Sequence, residues 1–135
     1  MFQMVDHIYI SDNRGIIFHD HFDVVINTNN LHRPGIIITD TSIPNELRYS
    51  IKVNGSNMKS DQNISYLCSI MNQSTTNKKT MLLYSDDYHT SALLFIRYLS
   101  SVYHFSSVDI QRITFTKEFD SGLTQAIFEE VKKLI

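Results

Sequence analysis

Short apolar runs broken by polar residues fill the first half of the chain. Longer stretches with apolar residues at offsets of three and four fill the second. The runs "HIYISD" (7–12), "FDVVINT" (22–28), "GIIIT" (35–39) and "RYSIKV" (48–53) are β-branched or aromatic and bounded by polar residues, the pattern of strands. The first two are expected to pair. Between them "NRGIIFHDH" leaves room for one or two helical turns with Ile16 and Ile17 toward the sheet. Pro44 and Asn45 in "DTSIPNE" stop regular structure between the third and fourth strands. From Asp61, a residue suited to capping, Ile64, Leu67, Cys68 and Met71 recur on one helix face, and "NQSTTNKK" (72–79) reads as a polar connection. "TMLLY" (80–84) is apolar enough for the centre of a sheet. After the polar "SDDYHT" (85–90), a helix starting near Thr90 or Ser91 is apolar nearly all round, so it is expected to be buried. "SSVDIQRI" (106–113) offers a serine cap and a short helix. A closing helix follows, capped by Asp120 or Ser121, with Leu123, Ala126, Ile127, Val131 and Leu134 on its apolar face and lysines late, as the helix dipole prefers.

Strands early and helices late predict an α/β fold, a central mixed or parallel sheet flanked by helices. At 135 residues, positions 1–135 read as a single domain large enough for its own core. The formal net charge of −2 provides no basic field, which disfavours a nucleic-acid partner. No apolar run approaches the ~20 residues of a membrane-spanning helix. A single cysteine, Cys68, rules out an intramolecular disulfide, and "MFQMVDHIYI" lacks a secretory pattern, so an intracellular, cytoplasmic and reducing setting is expected. The chain is rich in Ile and Asn and has four Gly, two Pro and no Trp, a bias that AT-rich coding produces in some large DNA viruses.

The strand-loop-helix junction at 81–99 is where α/β proteins hold phosphate, because free N–H groups and the positive helix end point there. Here the loop carries Asp86 and Asp87 and no glycine. In its element order, and in "KKTMLLYSDDYHTSALLFIRYLSSV", the chain resembles the dual-specificity phosphatases, small members of the protein tyrosine phosphatase superfamily. Their hallmark is an apolar strand, then HCxxGxxRS, then a buried helix of the form "ATLVIAYL". "HIYISD" is similar to their first strand, "FDVVINT" to "ITHVINV", "YSIKV" to "YLxIPVxD", and "FDSGLTQAIFEEVKKL" to their closing "PNxGFxxQLxxxE" helix. The resemblance covers nearly the whole chain.

The family's chemistry needs a cysteine thiolate nucleophile, an arginine clamp on the phosphoryl oxygens, loop N–H groups and an aspartic acid that protonates the leaving oxygen. Carried over position by position, the histidine falls on Leu83, the cysteine on Tyr84, the glycine on Asp87 and the arginine on Thr90; the final serine is kept as Ser91, and the general acid falls near Gly55. The resemblance therefore implies a phosphatase-like domain without the catalytic residues, with no catalytic site, cofactor or small-molecule substrate. A carboxylate ~4 Å from a phosphate dianion repels it by about a kcal/mol or more per charge, which also argues against a phosphopeptide reader.

The competing enzyme reading takes Ser85 as an oxygen nucleophile and His89 as its base. The binding reading takes Asp86, Asp87, Tyr88 and His89 as a contact surface, with an exposed Tyr88 ring as anchor and the acids orienting a partner's basic segment. Self-association through another face is the alternative to that surface. "HDHFD" (19–23) clusters His19 and His21 with two acids, but a metal site needs about three or four converging ligands, and an exposed turn explains the run without one. Cys68 lies on an apolar helix face, which fits a buried small hydrophobe.

Overall fold

The computed structural model describes residues 1–12, 21–28, 36–40, 49–53, 60–86, 88–114 and 119–134. Its strands are β1 (Phe2–Val5), β2 (Ile8–Ser11), β3 (Val24–Asn27), β4 (Ile36–Asp40), β5 (Tyr49–Val53) and β6 (Met81–Tyr84). Its helices are α1 (Ser60–Thr76), α2 (His89–Val102), α3 (Ser107–Thr114) and α4 (Ser121–Lys132). The strands form one mixed sheet in the order β1-β2-β6-β3-β5-β4. β2, β6, β3 and β5 run parallel, and antiparallel β1 and β4 close the two edges.

Two expectations about pairing change. β2 and β3 are not neighbours, because β6 lies between them and bonds both. This insertion is what a long crossover permits and what local pattern does not reveal. β1 was not expected; it joins β2 through Asp6 and His7, the latter at φ 71°, a tight two-residue connection in which one residue takes the left-handed region. All of "NRGIIFHDH" but its last residue, His21, lies outside the described residues, His19 included, and so do the stop at Pro44 and Asn45, Gly55 and Asp87.

Parallel register builds the core in rows. Ile8, Met81 and Val24 stand side by side across β2, β6 and β3, as do Ile10, Leu83 and Ile26, and all six are completely buried. Burying side chains of this size contributes roughly 1.5–3 kcal/mol each. Onto these rows pack Leu67, Cys68 and Met71 of α1, Leu94, Phe95 and Leu99 of α2, Ile110 of α3, and Leu123, Ile127 and Val131 of α4. The alternate residues Leu82, Tyr84 and Val25 face the other way with Phe22, where Tyr9 meets Phe22 edge-on at 5.2 Å.

α1 starts at Ser60, which puts Asp61 inside the first turn and not ahead of it. It also runs through the polar stretch expected to be a connection. Ser74, Thr75 and Thr76 each return a hydroxyl hydrogen bond to the carbonyl four residues back, so polar side chains are satisfied by their own helix. Thr75 Oγ1 also lies 2.9 Å from the hydroxyl of Tyr98, tying this last turn to α2. Among the described residues no helix is long and apolar enough to cross a membrane.

Candidate functional site

The register that builds the core also builds the site. Ser11, Tyr84 and Asn27 stand level at the carboxyl ends of β2, β6 and β3, so the next residues of β6 and β3, Ser85 and Thr28, emerge together where α2 begins. The backbone N–H of Ser85 donates to Ser11 O at 3.3 Å, and that of Thr28 to Tyr84 O at 2.9 Å. In open parallel sheets this carboxyl edge is where ligands bind.

Four hydroxyls meet there. Thr28 Oγ1 donates to Tyr84 O at 3.0 Å and lies 2.9 Å from both Thr90 Oγ1 and Ser91 Oγ, and Ser91 Oγ lies 3.1 Å from Ser85 Oγ. Each hydroxyl has one proton, and that fixes the direction of the chain. Thr28 gives its proton to the carbonyl, so it accepts from Thr90 and Ser91. Ser91 is then left to accept from Ser85. The relay runs from Ser85 through Ser91 and Thr28 to a backbone carbonyl, and Ser85, Ser91 and Thr28 are at most 1% exposed. Thr28 was missed from sequence; only the strand register brings it to residues 62 and 63 positions away.

The loop departs from expectation most at Tyr88. The expected exposed anchor is 7% exposed and belongs to the main hydrophobic core. Tyr88 takes φ 69°, a left-handed conformation uncommon for an aromatic residue, and this turns the ring inward. Its edge comes against Gly122 in the first turn of α4, where a Cβ would sit 3.4 Å from Tyr88 Cδ2. Its hydroxyl donates to Asp120 Oδ2 at 2.9 Å, while Asp120 Oδ1 accepts the N–H of Leu123 at 2.9 Å. Asp120 is thus the cap of α4, as expected, and at the same time the acceptor for the loop's tyrosine. A buried phenol satisfied by a charged acceptor is a structural group and offers no surface to a partner.

The remaining predicted residues separate. Asp86 is exposed. His89 Nδ1 lies 3.5 Å from Glu129 Oε2 on the outer side of α2 and α4, with both side chains nearly half exposed, whereas Ser85 is buried. Tyr84, which the resemblance sets against the family's cysteine, points to the opposite sheet face from α2 and packs with Phe22, Val25 and Leu82. Thr90 and Ser91 occupy the first turn of α2 and enter the hydroxyl relay. No group of three or more metal-ligating side chains occurs among the described residues. Cys68 is buried, and desolvation raises its thiol pKa despite a bond to Ser101 and the charge of Arg97.

A search of solved structures finds the same fold. Human DUSP28 matches with a TM-score of 0.57 and 13% identity over 98% of this chain and 93% of that one. A single-substitution variant of human DUSP28 matches with a TM-score of 0.58 and 12% identity over 98% and 94%. The fold is that of the dual-specificity phosphatases. A leucine-rich-repeat and phosphatase-domain protein from Entamoeba histolytica also matches, with a TM-score of 0.52 and 12% identity over 98% and 90%. No protein-family model matches the sequence. No curated protein sequence matches it either. The likeness extends across the whole chain, so the dual-specificity-phosphatase-like frame includes the carboxyl-edge site and α4 beside it.

Proposed function

We propose that this phosphatase-like domain is catalytically inactive and works as a protein-binding or scaffold domain. The observation that supports the reading is the closure of the carboxyl-edge site upon itself. A phosphate cradle needs donors directed at an empty centre, whereas here Ser85, Ser91 and Thr90 point their hydrogen bonds at each other and at Thr28, and the chain of protons ends on a carbonyl. A serine nucleophile needs a base to take its proton. The Ser85 proton has an acceptor that is itself a hydroxyl, which weighs against the Ser85 and His89 enzyme. Asp86 adds a negative charge two residues before the α2 cap, so the loop supplies for itself the charge that a helix N-terminus favours. Tyr84, Asp87, Thr90 and Gly55, where the family places its chemistry, weigh the same way.

The binding surface in this reading is the outer rim. Exposed Asp86 and its sequence neighbour Asp87 would orient a basic partner segment, and the half-exposed His89 and Glu129 pair would add to this rim. Tyr88 is removed from that surface and becomes its support. A viral source, hinted at by composition, fits a scaffold that has lost its enzyme.

The test is direct. The purified chain is expected to show no turnover of p-nitrophenyl phosphate and no rise in melting temperature with tungstate, since a ligand stabilises only in proportion to its binding. Asp86→Lys with Asp87→Lys is expected to leave the melting temperature nearly unchanged and to weaken capture of a lysine- and arginine-rich peptide library at least tenfold, about 1.4 kcal/mol. Turnover abolished by Ser85→Ala would establish the enzyme reading instead. Unchanged peptide capture would move the interface to another face, self-association included.

A further inference from the structure

Between the carboxyl-terminal halves of α2 and α4 lies a cleft of about 270 Å³, lined by Ile96, Arg97, Ser100, Glu130, Lys133 and Leu134. It is separate from the hydroxyl site, since Arg97 lies six residues, ~9 Å, along α2 from Ser91.

The cleft holds two charged groups with hydrogen-bonding capacity that no protein group among the described residues takes up. Glu130 is 8% exposed, and Lys133 Nζ donates to its Oε1 at 3.0 Å. An ionised carboxylate accepts about four hydrogen bonds, and among the described residues nothing donates to Oε2. Burial makes that deficit costly. Arg97 is exposed, carries five N–H donors in a rigid fork, and has no side-chain acceptor among the described residues. Arg97 and Glu130 line the same cleft, yet they form no ion pair with each other. Ile96 and Leu134 add an apolar wall.

We propose that this cleft binds a free α-amino acid or a zwitterion of that class. Its acid group bridges to the Arg97 fork, its ammonium donates to Glu130 Oε2, and a small apolar side chain lies on Ile96 and Leu134. The pairing explains why a carboxylate is kept buried at a helix-helix seam where an apolar residue would pack at less cost. A volume just under the ~300 Å³ at which drug-sized pockets begin suits a ligand of this size.

L-Leucine serves as the probe, titrated into the full chain and followed by ¹H–¹⁵N NMR, including the Arg97 side-chain N–H. Saturable shifts confined to 96–100 and 130–134 are expected, with binding at least tenfold weaker for leucinamide, which lacks the acid, and for N-acetyl-leucine, which lacks the ammonium. Arg97→Gln, on an exposed side chain, is expected to keep the melting temperature and to weaken leucine binding at least tenfold; Glu130→Gln is expected to do the same where it folds. No saturable shift up to about 10 mM, where binding contributes under ~3 kcal/mol, would overturn the proposal. So would equal binding of the two truncated analogues, shifts centred elsewhere, or unchanged affinity in Arg97→Gln.

Discussion

Tyr88 shows how much one backbone dihedral can decide. With φ in the left-handed region the ring enters the core and its hydroxyl reaches Asp120, and with φ in the common regions the same residue would have been the exposed anchor its polar neighbours suggest. A hydrogen bond to a charged acceptor contributes about 1.5–3 kcal/mol, discounted here because Asp120 is exposed. Tyr88→Phe is therefore expected to lower stability by about 1 kcal/mol in urea unfolding. Tyr88→Ala also removes a buried ring and is expected to cost about 3 kcal/mol or more. Equal stability of Tyr88→Phe and the parent would mean that the hydroxyl does not hold α4.

At the scale of elements, capping explains why the short helices persist. α3 is eight residues long, below what is stable alone, and is closed by reciprocal bonds. Ser106 Oγ accepts the N–H of Asp109 at 3.3 Å, and Asp109 Oδ2 accepts both the backbone N–H and the hydroxyl of Ser106. The backbone N–H bond first, and the Ser106 hydroxyl second, hold the Asp109 carboxyl below its ordinary pKa. A lowered folded-state pKa means that this contribution is complete above the unfolded value and is lost as pH falls through the folded one. Asp109→Asn is thus expected to lower the melting temperature at pH 7, with the difference from the parent shrinking as pH falls below the ordinary aspartate range and gone once the folded carboxyl is protonated. A difference that persists undiminished in acid would assign the effect to packing. The relation of helix boundaries to sequence was uneven for the same reason. The Asp120 cap is a local event and was legible, whereas the extension of α1 through Thr76 rests on Thr75 meeting Tyr98, a contact 23 residues away.

For the whole molecule, stability rests on the core that α2 shares with the sheet, α1 and α4. Leu94 is fully buried there, and Leu94→Asp puts an unpaired charge into the core. The variant is expected to be unfolded by circular dichroism and calorimetry. A soluble form with cooperative melting would show that α2 is not a core helix. The same core explains why the frame does not depend on the residues of the loop after β6. The rows Ile8, Met81, Val24 and Ile10, Leu83, Ile26 need only aliphatic side chains at alternate positions, and no residue of the loop contributes to them.

The sequence by itself determined the α/β class, five of the six strands, the four helices, the buried character of β6 and α2, and the start of α4 at Asp120 or Ser121. These follow from alternation, from helical spacing and from capping, all of which act within a few residues. Tertiary structure decided the rest: that β6 separates β2 from β3, that Thr28 completes the Ser85 and Ser91 relay, that Tyr88 is buried against Gly122 and Asp120, and that Arg97 and Glu130 share a cleft without meeting. Each of these joins residues far apart in the chain, and the register of a parallel sheet or the crossing of two helices depends on the packing of the whole core, which no local window of sequence contains.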